Sequence, residues 1–302
     1  MTLQATAIPT QTLPSAEVPP VVREAMSVIG DIATLPEVTV KIIALVEDPR
    51  STARDLHKVI KTDPALSARL LKVVNSAFYG LPGQVATVDR AIVLLGLATV
   101  KNIAIAASIG RLFTGERISD SFTAKDIWRH SVAVGVLTRQ MHRHLHSHQP
   151  EADEAFLAGL IHDLGLLVIR QAFPQQLADI IDRCAKEGRG FCEIEEQILG
   201  ANHQSFGQAL AAKWKFPQRL RTVLGYHHSP ELLAPEHQAM CRLIGIADTV
   251  ACEDKLGFPL TAAGQTVTPE SLAAIDLSPD VLAEFRAALP ENLASAEATL
   301  VG

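Results

Sequence analysis

Residues 155–169 read AFLAGLIHDLGLLVI, and they restrict the fold more than any composition figure does. Apart from His162 and Asp163 the stretch is apolar or glycine throughout, so it has to lie inside the molecule. A buried charge without a partner costs several kcal/mol, and a buried imidazole needs both nitrogens satisfied. The fold must therefore bring polar groups from other segments to face this pair.

The remaining chain is written in helical periods. From Val21 onward, VVREAMSVI, VTVKIIALV, ARDLHKVI and ALSARLLKVVN repeat apolar residues every three or four positions. Ser51 marks a helix start before TARDLHKVI, and Asp63 followed by Pro64 reads as an N-cap with proline at the first helical position. NSAFYGLPGQ, residues 75–84, is a glycine-proline loop. VDRAIVLLG then gives a helix closing at Gly96, and LATVKNIAIAASIGRLF gives another. The polar segment TGERISDSFTAKD joins two helical subdomains near residue 120. Beyond it the spacing predicts helices at about 123–148, 151–171, 174–188, 191–199, 202–214, 217–228 and 236–255. Strand-like alternation is weak, and no repeat of 20 to 50 residues recurs. The expectation is an all-α protein. It has a flexible tail over 1–20, an N-terminal helical subdomain over 21–118, a second helical subdomain over 119–256 that holds the dyad, and an acidic extension over 257–302. That extension carries six carboxylates against Arg286 alone. It is expected to form one or two short helices such as PDVLAEFRAAL, or to be partly disordered.

Composition narrows the function classes. With 48% hydrophobic and 20% charged residues, the 302-residue chain reads as an ordinary globular protein. Its net charge of −6, with no run of Lys and Arg, argues against nucleic acid as a partner. The N-terminus lacks the basic start and apolar run of a signal peptide. Ala91–Ala107 is the stretch nearest to a membrane span, but Gly96, Thr99, Lys101 and Asn102 interrupt it, so membrane insertion is not expected. The spacing of Cys184, Cys192, Cys241 and Cys252 fits no CxxC ligand motif, which leads to the expectation of a cytoplasmic protein with reduced, buried thiols.

The dyad has company. His130 lies in DIWRHSVAV, His203 in GANHQSFGQAL, His227 and His228 in VLGYHHSP, and Asp248 in LIGIADTVA, each on a different expected helix. Helical bundles build metal sites from side chains that converge from facing helices, and imidazole with carboxylate suits Fe, Mn, Zn and similar ions. A metal-free, hydrogen-bonded His–Asp network is the competing reading of the same residues.

His130, the adjacent His162-Asp163 and Asp248 resemble the H…HD…D signature of the HD superfamily of metal-dependent phosphohydrolases. The wider chain, about residues 21–255, resembles the HDOD (HD-related output domain) branch. The matching stretches are LPEVTVKIIALVEDP, DPALSARLLKVVNSAFYGLPGQVATVDRAIVLLGLATVKNIAI, WRHSVAVG, EAFLAGLIHDLGLLVI, ANHQSFGQALAAKW and YHHSP. The resemblance implies an HD-like helical core and a regulatory output role in bacterial signal transduction, through a signalling protein partner and a nucleotide ligand, without efficient catalysis. His203 and the His227-His228 pair look like additional ligands of the HD-GYP branch, which hydrolyses cyclic di-GMP. That match implies one or two divalent ions (Fe, Mn, Zn or Mg), bridged by Asp163 and held by His130, His162, His203, His227, His228 and Asp248. Two departures count against hydrolysis. The lysine of the family's HD-x-G-K is Leu166 here, and an apolar side chain cannot stabilise developing phosphoryl charge; the GYP stretch is replaced by SPELLAPEH. Three functions follow: a non-enzymatic output domain, a metal-dependent phosphohydrolase of a nucleotide or cyclic dinucleotide, and a metal- or redox-sensing module.

Other features carry weaker expectations. Asn75, Phe78 and Tyr79 in the NSAFYG loop are candidates for partner binding, against the alternative that the aromatics plug the loop onto the core and Asn75 braces it. Arg69, Lys72, Arg90 and Lys101 are read as a solvated face that could also dock an anionic ligand. MHRHLHSH, residues 141–148, spaces its histidines by two, which predicts a solvated helix end rather than a metal site.

Overall fold

The fold comes from a computed structural model, which describes residues 17–30, 35–113, 117–119, 121–146 and 149–300. Most of the expected N-terminal tail, and His148 with it, lie outside the described residues. The chain is all-α, and among the described residues there is no strand, only an isolated bridge between Arg117 and Thr123.

Six helices come first: α1 (Pro20–Val28), α2 (Glu37–Glu47), α3 (Ala53–Ile60), α4 (Pro64–Val74), α5 (Val88–Leu95) and α6 (Leu97–Ile109). Local chemistry sets their ends. Asp63 accepts from the Leu66 N–H with Pro64 at the first position of α4, as the spacing predicts. The start of α3 falls one residue later than Ser51 indicates. Thr52 and Asp55 form a reciprocal capping box there, while the Ser51 hydroxyl donates to Leu45 O. Helix α6 is buried from Thr99 to Ile109 and packs against α2, α4 and α8, which accounts for the apolar run around it. No helix among the described residues is long and apolar enough to cross a membrane.

The second set carries the histidines: α7 (Ala124–Leu145), α8 (Gln149–Ile161), α9 (Leu164–Ala172), α10 (Pro174–Glu187), α11 (Phe191–Leu199), α12 (His203–Lys213), α13 (Gln218–Tyr226) and α14 (Pro235–Glu253). The periodicity predicts one helix over 151–171, whereas the structure has two. The break falls at His162-Asp163, where Asp163 adopts φ −96°, ψ 16°. Apolar residues fill both sides of the break, so hydrophobic spacing carries no signal of it. Helices α7 and α8 lie so close that a Cβ on Gly159 would sit 2.8 Å from the Cα of Gly135. That contact brings the His130 and His162 rings to 5.4 Å between centroids.

The acidic C-terminal stretch folds further than expected. After α15 (Pro269–Ala273), α16 runs from Pro279 to Leu300, through Pro290, and packs along α7 and α4. Leu282, Leu289, Leu293, Ala296 and Leu300 are buried on the same hydrophobic core as the earlier helices.

Candidate metal centre

All seven expected ligands meet in one place. His130, His162, Asp163, His203 and Asp248 are fully buried, His227 is 1% exposed, and the side chain of His228 is 4% exposed. Each is delivered differently: His130 from the middle of α7, the dyad from the α8–α9 break, His203 from the first position of α12, the His227-His228 pair from the turn ending α13, and Asp248 from within α14. The break answers the question raised by the dyad. Off the helix, Asp163 can turn toward the same cavity as its neighbour.

Asp163 stands at the middle. Its Oδ2 lies 3.2 Å from His162 Nε2 and 3.7 Å from His130 Nε2; its Oδ1 lies 3.4 Å from His203 Nε2 and 3.6 Å from His227 Nε2. His130 Nε2 is 2.9 Å from Asp248 Oδ1, and His228 Nε2 is 3.6 Å from Asp248 Oδ2. The donor atoms fall into two groups, Asp163-His203-His227-His228 and His130-His162-Asp248, each with its atoms within 4.8 Å of one another.

The far side of the rings fixes their tautomers. His162 Nδ1–H donates to Gly159 O at 2.7 Å, His227 Nδ1–H to Val223 O at 3.0 Å, and His203 Nδ1–H to Glu195 Oε2 at 2.7 Å. These bonds leave three Nε2 lone pairs pointing inward at a carboxylate that also only accepts. His162 Nε2, both Asp163 oxygens, His228 Nε2 and Asp248 Oδ2 are buried without a hydrogen-bond partner. Acceptors facing acceptors fit a divalent cation: imidazole and carboxylate bind one at about 2.0–2.2 Å, which puts opposed donors roughly 4 Å apart. The residues present therefore suit Fe, Mn or Zn better than Mg, which favours oxygen ligands and retained water.

Without a cation, the cluster can be reconciled only by protons. Burial opposes charge on His203, but Glu195, with Asp163 and Asp248, outweighs it and pushes this imidazole up to about 9. Burial likewise opposes charge on His162, and Asp163 beside it wins, raising it. Desolvation would raise Asp163, but His162, His227 and His203 hold it well below the usual carboxylate range. Asp248 is lowered too, its desolvation overcome mainly by the bond from His130. Burial pushes His227 and His228 down.

Several participants are absent from the sequence reading. Glu195 is buried, orients His203, and leaves its Oε1 unpartnered. Its signal was present in FCEIEEQIL, where Phe191, Ile194 and Glu195 share one face of α11, so a charge sits on the apolar side. Cys192 groups with Glu195 and His203, and Cys252 Sγ lies 3.5 Å from Asp248 Oδ1. Thr261, from the acidic extension, donates to Asp248 Oδ1 at 3.0 Å and lies 3.4 Å from His130 Nε2. No pattern in its own segment marks it.

The loop candidates lie elsewhere. Asn75 Nδ2 donates to Leu71 O and Val85 O, each at 2.8 Å, and its Oδ1 accepts from Val85 N at 2.6 Å, bracing the loop at both ends. Phe78 packs on Phe156, with the Arg139 guanidinium 4.1 Å above its ring and 4.9 Å from that of Tyr79. Arg139 in turn pairs with buried Asp153 at 3.0 Å. Both aromatic residues are thus half-buried and turned onto α7 and α8, as the alternative that they plug the loop onto the core has it. Of the four basic residues nearby, Lys101 leaves the surface altogether: it is buried and donates to Leu45 O and Ser51 Oγ. His142 and His146, four residues apart in the histidine-rich run, do share a face, with ring centroids 4.8 Å apart. They belong to no three-donor group among the described residues.

Comparison with known proteins agrees with this fold. A protein of Treponema pallidum (strain Nichols), named only as uncharacterized, is 24% identical over 220 residues, 73% of this chain and 42% of that protein. The chain thus spans about two-fifths of the length of the curated relative it matches. Among solved structures, an HDOD domain protein with unknown function from Geobacter sulfurreducens has a TM-score of 0.78 at 22% identity, over 92% of this chain and 97% of that one. A "Putative signal transduction protein" from Marinobacter aquaeolei VT8 has a TM-score of 0.69 at 25% identity, over 91% of this chain and 60% of that one. The model of the HDOD domain family matches residues 32–230, about two-thirds of the sequence, and to that family the chain belongs.

Proposed function

We propose that the chain is an output module of bacterial signal transduction, acting in the cytoplasm by contact with a signalling protein, with an ion at its centre that holds helices together rather than turning over substrate. The observation that carries this reading is closure: every ligand side chain is at most 4% exposed. Structural metal sites are closed, whereas catalytic ones keep a position open to substrate. Leu166, fully buried in the core, adds to the argument, because it supplies no cation for a phosphoryl group. The signalling name of the Marinobacter relative points the same way. In this reading His130, His162, Asp163, His203, His227, His228 and Asp248 hold one or two divalent ions, and Glu195 orients His203.

A second reading rests on Asp163. Its two oxygens face two separate groups of imidazoles, an arrangement suited to bridging a pair of ions as in two-metal phosphohydrolases. Elemental analysis of purified protein, followed by a screen against cyclic dinucleotides and nucleoside phosphates, separates the two. The output reading expects bound metal, lost in Asp163→Ala, and no turnover. Robust turnover abolished by Asp163→Ala with the fold intact would overturn it.

A further inference from the structure

Resting on the metal reading above, we propose that residues 257–265 are the door of the centre, through which an ion enters and leaves, with Thr261 as its bolt. A fully enclosed ion site needs an entry path. The two closest-packed helical walls do not offer one. A Cβ on Gly165 of α9 would lie 1.9 Å from His203 O, and one on Gly245 of α14 would lie 2.8 Å from His227 O. Backbone meets backbone on those sides, and they part only if helices unpack.

Beside them the centre is covered by irregular chain between α14 and α15. Among the described residues, the side-chain hydrogen bonds reaching the centre come from helices, apart from those of Thr261 and Gln265. Thr261, 1% exposed, donates to Asp248 Oδ1. The amide of exposed Gln265 meets His228 Nδ1 at 3.0 Å, beside the least buried ligand. At the other end Phe258 N–H donates to Asp126 O, and the Phe258 ring wedges between Phe122 and Phe191. Gly257 makes this seat. Its φ is +82°, and a Cβ there would lie 2.3 Å from Asp126 O and 2.5 Å from His130 N. Fully buried Phe258 anchors this end, and beyond it residues 259–265 lie over the centre with polar ties at Thr261 and Gln265, so their local opening is less costly than parting α9 from α12.

Cys252 reports on the door without any ion. It is 8% exposed, and its Sγ lies 3.6 Å from Thr261 Oγ1, beneath the segment. The test compares wild type, Thr261→Ala, Thr261→Ser and Gly257→Val as full-length chains, each checked for helicity by circular dichroism. Two quantities are read: Zn2+ release to a chromogenic chelator, and alkylation of Cys252 by iodoacetamide, followed by peptide mass spectrometry in the metal-free chain. Losing a hydrogen bond to a charged group corresponds to roughly a tenfold change or more. Thr261→Ala and Gly257→Val are therefore expected to accelerate both readouts by about that factor, and Thr261→Ser to match wild type. Should Gly257→Val lose helicity, the Thr261 pair decides alone. Wild-type rates in Thr261→Ala overturn the door, and so does faster release with unchanged Cys252 alkylation, which would mean a loosened ligand. If wild type takes up no Zn2+, the metal reading falls and takes the door with it, whatever the alkylation shows.

Discussion

Gly165→Ala tests whether the α9–α12 contact holds the centre together. The added Cβ would stand 1.9 Å from His203 O and 2.8 Å from Gly207 N. Ordinary contact begins near 3.4 Å, so the two helices would have to separate by about 1.5 Å. No flexible side chain is available to give way, since both nearest atoms belong to backbone. His203 moves with α12, and its Nε2 now sits 3.4 Å from Asp163 Oδ1. Overpacking costs about 1–3 kcal/mol, and rigid neighbours place this case near the upper end. For a chain of this size, 3 kcal/mol corresponds to roughly 5 °C in Tm. Across the same interface, Gly207→Ala brings a Cβ only to 3.3 Å from Gly165 N and adds helix propensity, so its net effect should stay within about 1 kcal/mol. Calorimetric melts of the metal-free variants measure the first effect, and Zn2+ titration measures the loss of the site. If Gly165→Ala melts and binds like wild type, or if Gly207→Ala proves the more damaging, the packing argument is wrong.

Two further outcomes follow from buried charge. Asp153→Ala takes the carboxylate from the Arg139 guanidinium, 5% exposed, leaving it Phe78 O and two ring faces, and should cost about 3 kcal/mol in urea unfolding while loosening the NSAFYG loop; a loss under 1 kcal/mol would refute this. In the metal-free chain, folding raises His203 from 6.5 to about 9, so the stability this contributes is present below 6.5 and is lost as pH rises through about 9. Zn2+ reverses the sign, because its ligands must be deprotonated and its stabilisation grows with pH. Urea titrations near pH 6 and pH 9, with chelator and with Zn2+, check both slopes, and parallel slopes would contradict the reading.

The ligand residues were legible because a charge inside an apolar run stands out, and His130, His162, Asp163 and Asp248 all do so. Glu195 was legible in principle by the same rule. Thr261 was not: it is a small polar residue in a polar segment, and only its position above Asp248 gives it a role. The same holds for Lys101, a charge in a run judged by its surroundings, which finds its partners in Leu45 near the end of α2 and Ser51 beyond it. His142 and His146 show that an every-second spacing includes the fourth position, so the scatter it implies around a helix is incomplete.

Periodicity is a local property, and from it the sequence determined that this chain is helical, roughly where most helices before residue 256 lie, and that His130, His162, Asp163 and Asp248 would be trapped inside. The break at His162-Asp163, the closure of the centre and the course of residues 257–300 were decided by tertiary structure. Each depends on which backbone surfaces can approach one another, and that distance is set by the glycines and side chains of two segments together.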